Sequence, residues 1–212
     1  MGEIEYKNEI VELGKSLFQR GYATGSSGNL SVLMEDGRYI ATPTGSSLGF
    51  LKADELSVLS SEGELLSGKA PSKEIRFHLA IYQKKPKNKA IVHLHSTYLT
   101  ALSCIKNIDV KNAIKAFTPY YIMRIGKLPM IPYYRPGDER LCDELANAAM
   151  HHTAILMANH GVVVCGNNLF EAVNSAEELE ETAKLYFILQ DKKINYLTDE
   201  QIDNLDLHFK KE

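Results

Sequence analysis

A chain of 212 residues in which 44% of side chains are apolar is large enough to close one hydrophobic core, and it is neither disordered nor fibrous. Its 24 Lys and Arg against 27 Asp and Glu leave a net charge of −3, which gives no electrostatic footprint for nucleic acid or an anionic membrane. No apolar run approaches the ~20 residues of a membrane span. The acidic start Met1-Gly2-Glu3-Ile4-Glu5 has no apolar signal core, so a cytoplasmic location is expected.

In chain order, residues 4–20 carry Ile4, Ile10, Val11, Leu13, Leu17 and Phe18 at close to helical spacing and stop before Gly21. After the small-residue loop Gly25-Ser26-Ser27-Gly28-Asn29, segments 30–34 and 38–42 flank Glu35-Asp36-Gly37 and predict a β-hairpin. A second loop, 43–49, leads to short strands at 56–59 and 65–66. Pro71-Ser72 is expected to open a helix running to about Lys84. Residues 90–94 predict a buried strand, with Ser96 or Thr97 capping a helix to about Ile105. Segments 120–125 and 130–134 read as strands or extended chain, and Arg135-Pro136-Gly137-Asp138 as a turn into a helix ending near His151. Strands at 154–158 and 162–165 precede a long helix at about 169–190. Residues 1–190 are therefore taken as one domain, and 191–212 as a polar C-terminal tail. Hairpins between several strands favour a mixed or largely antiparallel sheet covered by helices.

Cys104, Cys142 and Cys165 are odd in number, far apart and form no C-x-x-C, so reduced thiols are expected. The histidines are more informative. In His93-Leu94-His95 the two imidazoles share one face of a strand. Alone, the pair reads more readily as one packed and one exposed ring than as a metal clamp. His160 also ends an apolar strand, and Gly161 beside it permits a sharp turn. Three neutral imidazoles with an open fourth position make a catalytic zinc site. A zinc ion there would polarise a carbonyl and hold an enediolate.

Glu74, in the first turn of the helix after Pro71, either complements the helix N-terminus or serves as a general acid/base beside the metal. His78, four residues on, is expected to support the site or pack, not to ligate. His151 and His152 read as surface residues at a helix end, and His208 needs no role. Gly28-Asn29 and Thr44-Gly45-Ser46-Ser47 offer amides and hydroxyls to an anion, and Ser72-Lys73 adds a hydroxyl and a charge at a helix N-terminus. Together with a metal they suggest a small phosphorylated substrate.

Gly28-Asn29-Leu30-Ser31, Thr42-Pro43-Thr44-Gly45, Ser72-Lys73-Glu74 through His78, His93-Leu94-His95 and Asn159-His160-Gly161 stand in the order and spacing of the class II aldolase/adducin family. The chain resembles that family over roughly residues 8–190. The resemblance implies a three-layer α/β/α domain around a mostly antiparallel sheet, assembled as a homotetramer. It implies one Zn2+ per subunit on His93, His95 and His160, with Glu74 as acid/base and able to sit on the metal of the empty site. It also implies that Asn29, Thr44, Gly45 and Ser72, with Lys73 beside them, surround the substrate phosphate. Tyr120 or Tyr121 would reach a neighbouring subunit's site.

Within the family, the stretch 118–138, Glu177-Glu178-Leu179-Glu180-Glu181-Thr182-Ala183-Lys184 and Lys73 resemble the 3-oxo-tetronate 4-phosphate decarboxylase branch. Thr44-Gly45-Ser46 looks more like the aldolase branch. The expected reaction is zinc-dependent loss of CO2 through a metal-bound enediolate, giving dihydroxyacetone phosphate. The alternatives are a sugar-phosphate aldolase resembling fuculose-1-phosphate aldolases, and a non-catalytic adducin-like binding domain, against which the intact histidines and Glu74 argue.

Overall fold

The computed structural model describes residues 1–135 and 137–209. The chain runs α1 (Glu3–Gln19), β1 (Asn29–Leu33), β2 (Tyr39–Ala41), β3 (Ser57–Leu59), β4 (Leu65–Ser67), α2 (Ile75–Lys84), β5 (Ala90–Leu94), α3 (Thr97–Ser103), α4 (Pro119–Arg124), β6 (Met130–Ile131), α5 (Arg140–Ala149), β7 (Ala154–Met157), β8 (Gly161–Gly166), α6 (Leu169–Leu189) and α7 (Asp199–Phe209). The strands form one eight-stranded sheet in the order β4-β3-β2-β1-β5-β8-β7-β6. Every pairing is antiparallel except β6 with β7.

Side chains alternate across the sheet, so each strand feeds two cores. Leu30, Val32, Val92, Leu94, Val162 and Val164 face one side, where α1, α3, α4 and α6 cover them. Ile91, Ile155, Val163 and Cys165 face the other, under α2 and α5. The result is the expected three-layer α/β/α arrangement. By the same alternation, the polar residues Asn29, Ser31 and His93 lie on the α2/α5 side. The central strand β5 is buried along its whole length, as a strand covered on both faces must be.

Four expectations are corrected. Residues 120–124 lie in helix α4, with Ile125 at its C-cap, and are not a strand. Pro119 sits in the first turn, where its missing N–H costs nothing, and Tyr121, Ile122 and Ile125 recur at helical spacing to meet the core. Segment 130–134 contributes only Met130–Ile131 to the sheet. Helix α2 begins at Ile75, not at Pro71, because the preceding residues are held to the end of β2. Pro43 bridges Pro71, and the Ser72 N–H donates to the Thr42 carbonyl at 3.1 Å. Glu74 is therefore the N-cap residue of α2 and not a member of its first turn. Finally, the polar tail contains α7, which rests on α4 with Ile202 and Leu205 packed against the core. In the expected turn at 135–138, Asp138 N–H donates to the Arg135 carbonyl at 3.1 Å; Pro136 lies outside the described residues.

Candidate metal centre

The site is built at the end of the sheet where β1, β5 and β8 meet. Asn29 stands directly opposite His93 across the β1–β5 ladder, and His93 opposite Val163 across β5–β8. His95 follows β5 immediately. His160 arrives from the tight turn between β7 and β8, in which Asn159 takes a left-handed backbone (φ 57°) and donates its N–H to the Ser103 carbonyl at 3.0 Å. Gly161 is required here. A Cβ at this position would collide with the Leu94 carbonyl oxygen and lie 3.3 Å from the His95 ring. Gly28 is required for the same reason, since a Cβ there would meet the His93 carbonyl oxygen at 2.9 Å.

The three imidazoles converge. Their ring centroids are 4.7 Å (His93–His95), 5.1 Å (His93–His160) and 4.7 Å (His95–His160) apart, with the planes inclined at 67–81°. The Nδ1–H of buried His93 donates to the Val162 carbonyl at 2.9 Å, which leaves the Nε2 lone pair facing inward. That Nε2 lies 2.9 Å from Nε2 of His95. Glu74 closes the group from α2, with Oε2 3.3 Å from His93 Nε2 and Oε1 3.3 Å from His160 Nε2. One ligand atom from each of the four residues falls within 4.8 Å of the rest. Crowded imidazole nitrogens beside a carboxylate are a donor set for a divalent cation.

Protonation supports this. Burial pushes His93 down to about 4, and burial with the charge of His160 lowers His95, so both rings are neutral near neutral pH. Burial pushes Glu74 up, but the charge of His93 and the hydrogen bond from His160 outweigh it and hold the carboxyl well below the usual range. Asn29 adds a hydrogen bond from Nδ2 to Glu74 Oε2 at 2.7 Å.

Of the residues expected around an anion, Asn29 is thus in direct contact with Glu74. Thr44 and Ser72 are brought to one rim by the Pro43–Pro71 bridge, with Thr44 N–H donating to the Ala70 carbonyl at 3.0 Å. Thr44, Gly45 and Lys73 are exposed on that rim, and Ser72 Oγ accepts from the Glu74 N–H at 3.3 Å. The two tyrosines separate. Tyr121 is fully buried with its hydroxyl on Asn112 Oδ1 at 3.2 Å, so its ring is not offered to a neighbour. Tyr120 is 58% exposed. Cys104, Cys142 and Cys165 are all free thiols, and His151 and His152, just past the end of α5, are not among the four residues of the cluster.

Two residues near the site have roles that the sequence did not assign to them. Glu180 on α6 is buried, and its carboxylate accepts from Ser96 Oγ at 2.7 Å and from the N–H groups of Tyr98 and Leu99 at 2.8 and 2.9 Å. Ser96 therefore does not cap α3; Glu180 does so from across the core. Tyr82 forms a buried hydrogen-bonded group with Ser31 and His78. The signal in the sequence for the role of Glu180 is its place at helical spacing with the apolar residues Ala172, Val173, Ala176, Leu179 and Ala183 of α6.

Residues 8–187 match the family model of the class II aldolase and adducin N-terminal domain. The chain is 57% identical, over 97% of its own length and 98% of the relative's, to the 3-oxo-tetronate 4-phosphate decarboxylase of Haemophilus influenzae. It is 38% identical, over 84% of its length and 94% of the relative's, to the L-fuculose phosphate aldolase of Methanocaldococcus jannaschii. Among solved structures it superimposes with a TM-score of 0.94 and 55% identity on an Escherichia coli protein described as an aldolase, epimerase or decarboxylase, covering 96% of this chain and 98% of that one.

Proposed function

We propose that this chain, which belongs to the class II aldolase and adducin family, decarboxylates 3-oxo-tetronate 4-phosphate to dihydroxyacetone phosphate and CO2. The observation that carries the reading is the inward-facing group of His93, His95, His160 and Glu74 beside an exposed rim of hydroxyls, amides and one lysine. The choice of decarboxylation over aldol cleavage rests on the higher identity to the named decarboxylase, 57% against 38%.

In this reading His93, His95 and His160 hold one Zn2+, which when bound supplies a Lewis acid to draw charge from the substrate's oxygens. The protein's own groups do the rest. Asn29, Thr44, Gly45 and Ser72 receive the phosphate, with Lys73 neutralising it, and this fixes which substrate carbon faces Glu74. The C1–C2 bond breaks, its electron pair is conjugated with the C3 carbonyl, and CO2 departs. C2 then needs one proton. Glu74 is the group placed to relay it: a carboxylate at rest, held by Asn29, with 27% of its side chain open to water, it takes up a proton from solvent, passes it to C2 and returns to the carboxylate. In a homotetramer, exposed Tyr120 is the tyrosine available to a neighbouring site.

The test is product analysis with the zinc-loaded protein. The substrate, generated in place by oxidation of a 4-phosphotetronate, should yield CO2 and dihydroxyacetone phosphate in equal amounts. L-fuculose 1-phosphate should yield little aldehyde. Aldehyde release without CO2 would transfer the chain to the aldolase reading.

A further inference from the structure

Beneath the metal centre lies a second polar layer that the proposed reaction does not use. His78 and Ser31 are each fully buried, and Tyr82 is 2% exposed. His78 Nδ1 lies 2.7 Å from Ser31 Oγ, Ser31 Oγ lies 2.8 Å from the Tyr82 hydroxyl, and that hydroxyl donates to the Ser31 carbonyl at 2.9 Å. One arrangement gives every proton an acceptor: His78 Nδ1–H to Ser31 Oγ, Ser31 O–H to Tyr82, Tyr82 O–H to the Ser31 carbonyl. It ends on the backbone of β1. His78 Nε2 is left without a partner among the described residues. A bare buried acceptor is better tolerated than an orphaned N–H.

The placement of this chain is informative. Ser31 lies two residues from Asn29 on one face of β1, and His78 lies four residues from Glu74 on one face of α2. Helix and strand are thus joined by two stacked rungs, Glu74–Asn29 at 2.7 Å and His78–Ser31 at 2.7 Å. The upper rung is open to solvent only through Glu74 and belongs to the site. The lower one is dry. The backbone of Glu74 is held lightly: its N–H reaches Ser72 Oγ at 3.3 Å, and its side chain, turned to Asn29, does not cap α2.

We propose that His78, acting with Ser31 and Tyr82, is a positioning residue that fixes α2 against β1 and so holds the Glu74 carboxylate on Asn29 and toward His93 and His160. It touches neither metal nor substrate. The inference rests on Glu74 being the proton-transfer group of the proposed function. A misplacement of about 1 Å at such a group lowers turnover by as much as about a hundredfold.

Two variants separate this role from simple packing. His78→Phe keeps the ring volume and loses the hydrogen bond. His78→Asn loses volume but presents an amide N–H near the Nδ1 position. Positioning predicts a kcat lowered 10- to 100-fold in His78→Phe with KM within twofold and zinc retained, and a smaller loss in His78→Asn. Packing predicts the reverse order, and a His78→Phe enzyme with wild-type kcat overturns the proposal. Crystal structures of both variants give a readout independent of substrate. The Glu74–Asn29 bond should lengthen beyond 3.5 Å in His78→Phe and persist in His78→Asn; an unmoved Glu74 in His78→Phe also overturns it. Were the wild type inactive on every 3-oxo acid, the functional reading would fail while this separation still decided the structural claim.

Discussion

Glu180 and Ser96 are joined by a buried 2.7 Å hydrogen bond between α6 and the residue that follows His95. The same carboxylate accepts two amides from the first turn of α3, where unpaired N–H groups and the helix dipole both favour an anion. The chain therefore leaves β5 through His95 and is clamped at once by a distant helix. Hydrogen bonds to a charged group contribute about 1.5–3 kcal/mol each. Glu180→Ala should lower the unfolding free energy in urea by at least about 3 kcal/mol, and Glu180→Gln by less. Both should weaken metal affinity through His95. A Glu180→Ala protein within about 1 kcal/mol of wild type would remove the clamp from the account.

Glu74→Gln addresses the chemistry. The amide keeps the size of the side chain and leaves three imidazoles for the ion, so metal content should stay near one per chain. Turnover should fall by about 10² or more, the usual scale of a lost acid/base. Metal analysis and kcat on the same preparation check both halves. Near-normal turnover would exclude Glu74 from proton transfer.

Much of this centre was legible from the sequence because strand ends and spacing are local properties. His93-Leu94-His95 follows an apolar run that could only be a buried strand, and Asn159-His160-Gly161 marks a turn between two more. The alternation of β1, β5 and β8 then decides that Asn29 and His93 share a face. What was not legible depends on tertiary contact. Segment 120–125 is rich in aromatic and β-branched residues, which suit a strand, yet the α6 and α7 surfaces pull its Tyr121, Ile122 and Ile125 onto one helical face. The start of α2 was misplaced because nothing in Pro71-Ser72 reveals that Thr42 will claim the Ser72 amide. Glu180 lies 85 residues from His95, and only the fold brings them together.

Close backbone approach at the site predicts a further sensitivity. Gly28 has φ +79°, and a Cβ there would stand 2.9 Å from the His93 carbonyl oxygen and 3.3 Å from Leu94. Gly28→Ala therefore combines backbone strain with overpacking of the strand that carries His93, a cost of about 1–3 kcal/mol. The expected result is a lower thermal midpoint together with weaker metal binding. Gly37→Ala is the control: it shares the positive φ (+87°), but its Cβ would have nothing within 4 Å. It should lose stability alone.

Metal removal should lower stability through linkage. An ion that binds only the folded chain contributes about 2.7 kcal/mol at a free concentration of 100 times Kd. Chelation should lower Tm, and titrating Zn2+ or Co2+ into the apoprotein should restore it. His95→Ala should abolish that response. His151→Ala, an exposed residue outside the cluster, should leave it intact. An unchanged Zn2+ response in His95→Ala would contradict the ligand assignment.

The metal-free protein should also lose stability in mild acid through His78. Burial, aided by the charge of His93 and opposed by Glu74, lowers His78 from 6.5 to about 3. Between those values the unfolded chain binds a proton at this residue and the folded chain does not. Stability from the neutral, buried ring is therefore complete above pH 6.5 and is lost as pH falls toward 3. Each pH unit within that window corresponds to up to about 1.4 kcal/mol. Urea midpoints of the apoprotein should fall between pH 7 and 4.5, and His78→Asn, which has no titrating group there, should fall less steeply. The groups facing the ring, Glu74, His93 and Tyr82, remain in both proteins, so the difference between the two profiles isolates His78. Parallel profiles would show that the buried imidazole takes up its proton in the folded state as readily as in the unfolded chain.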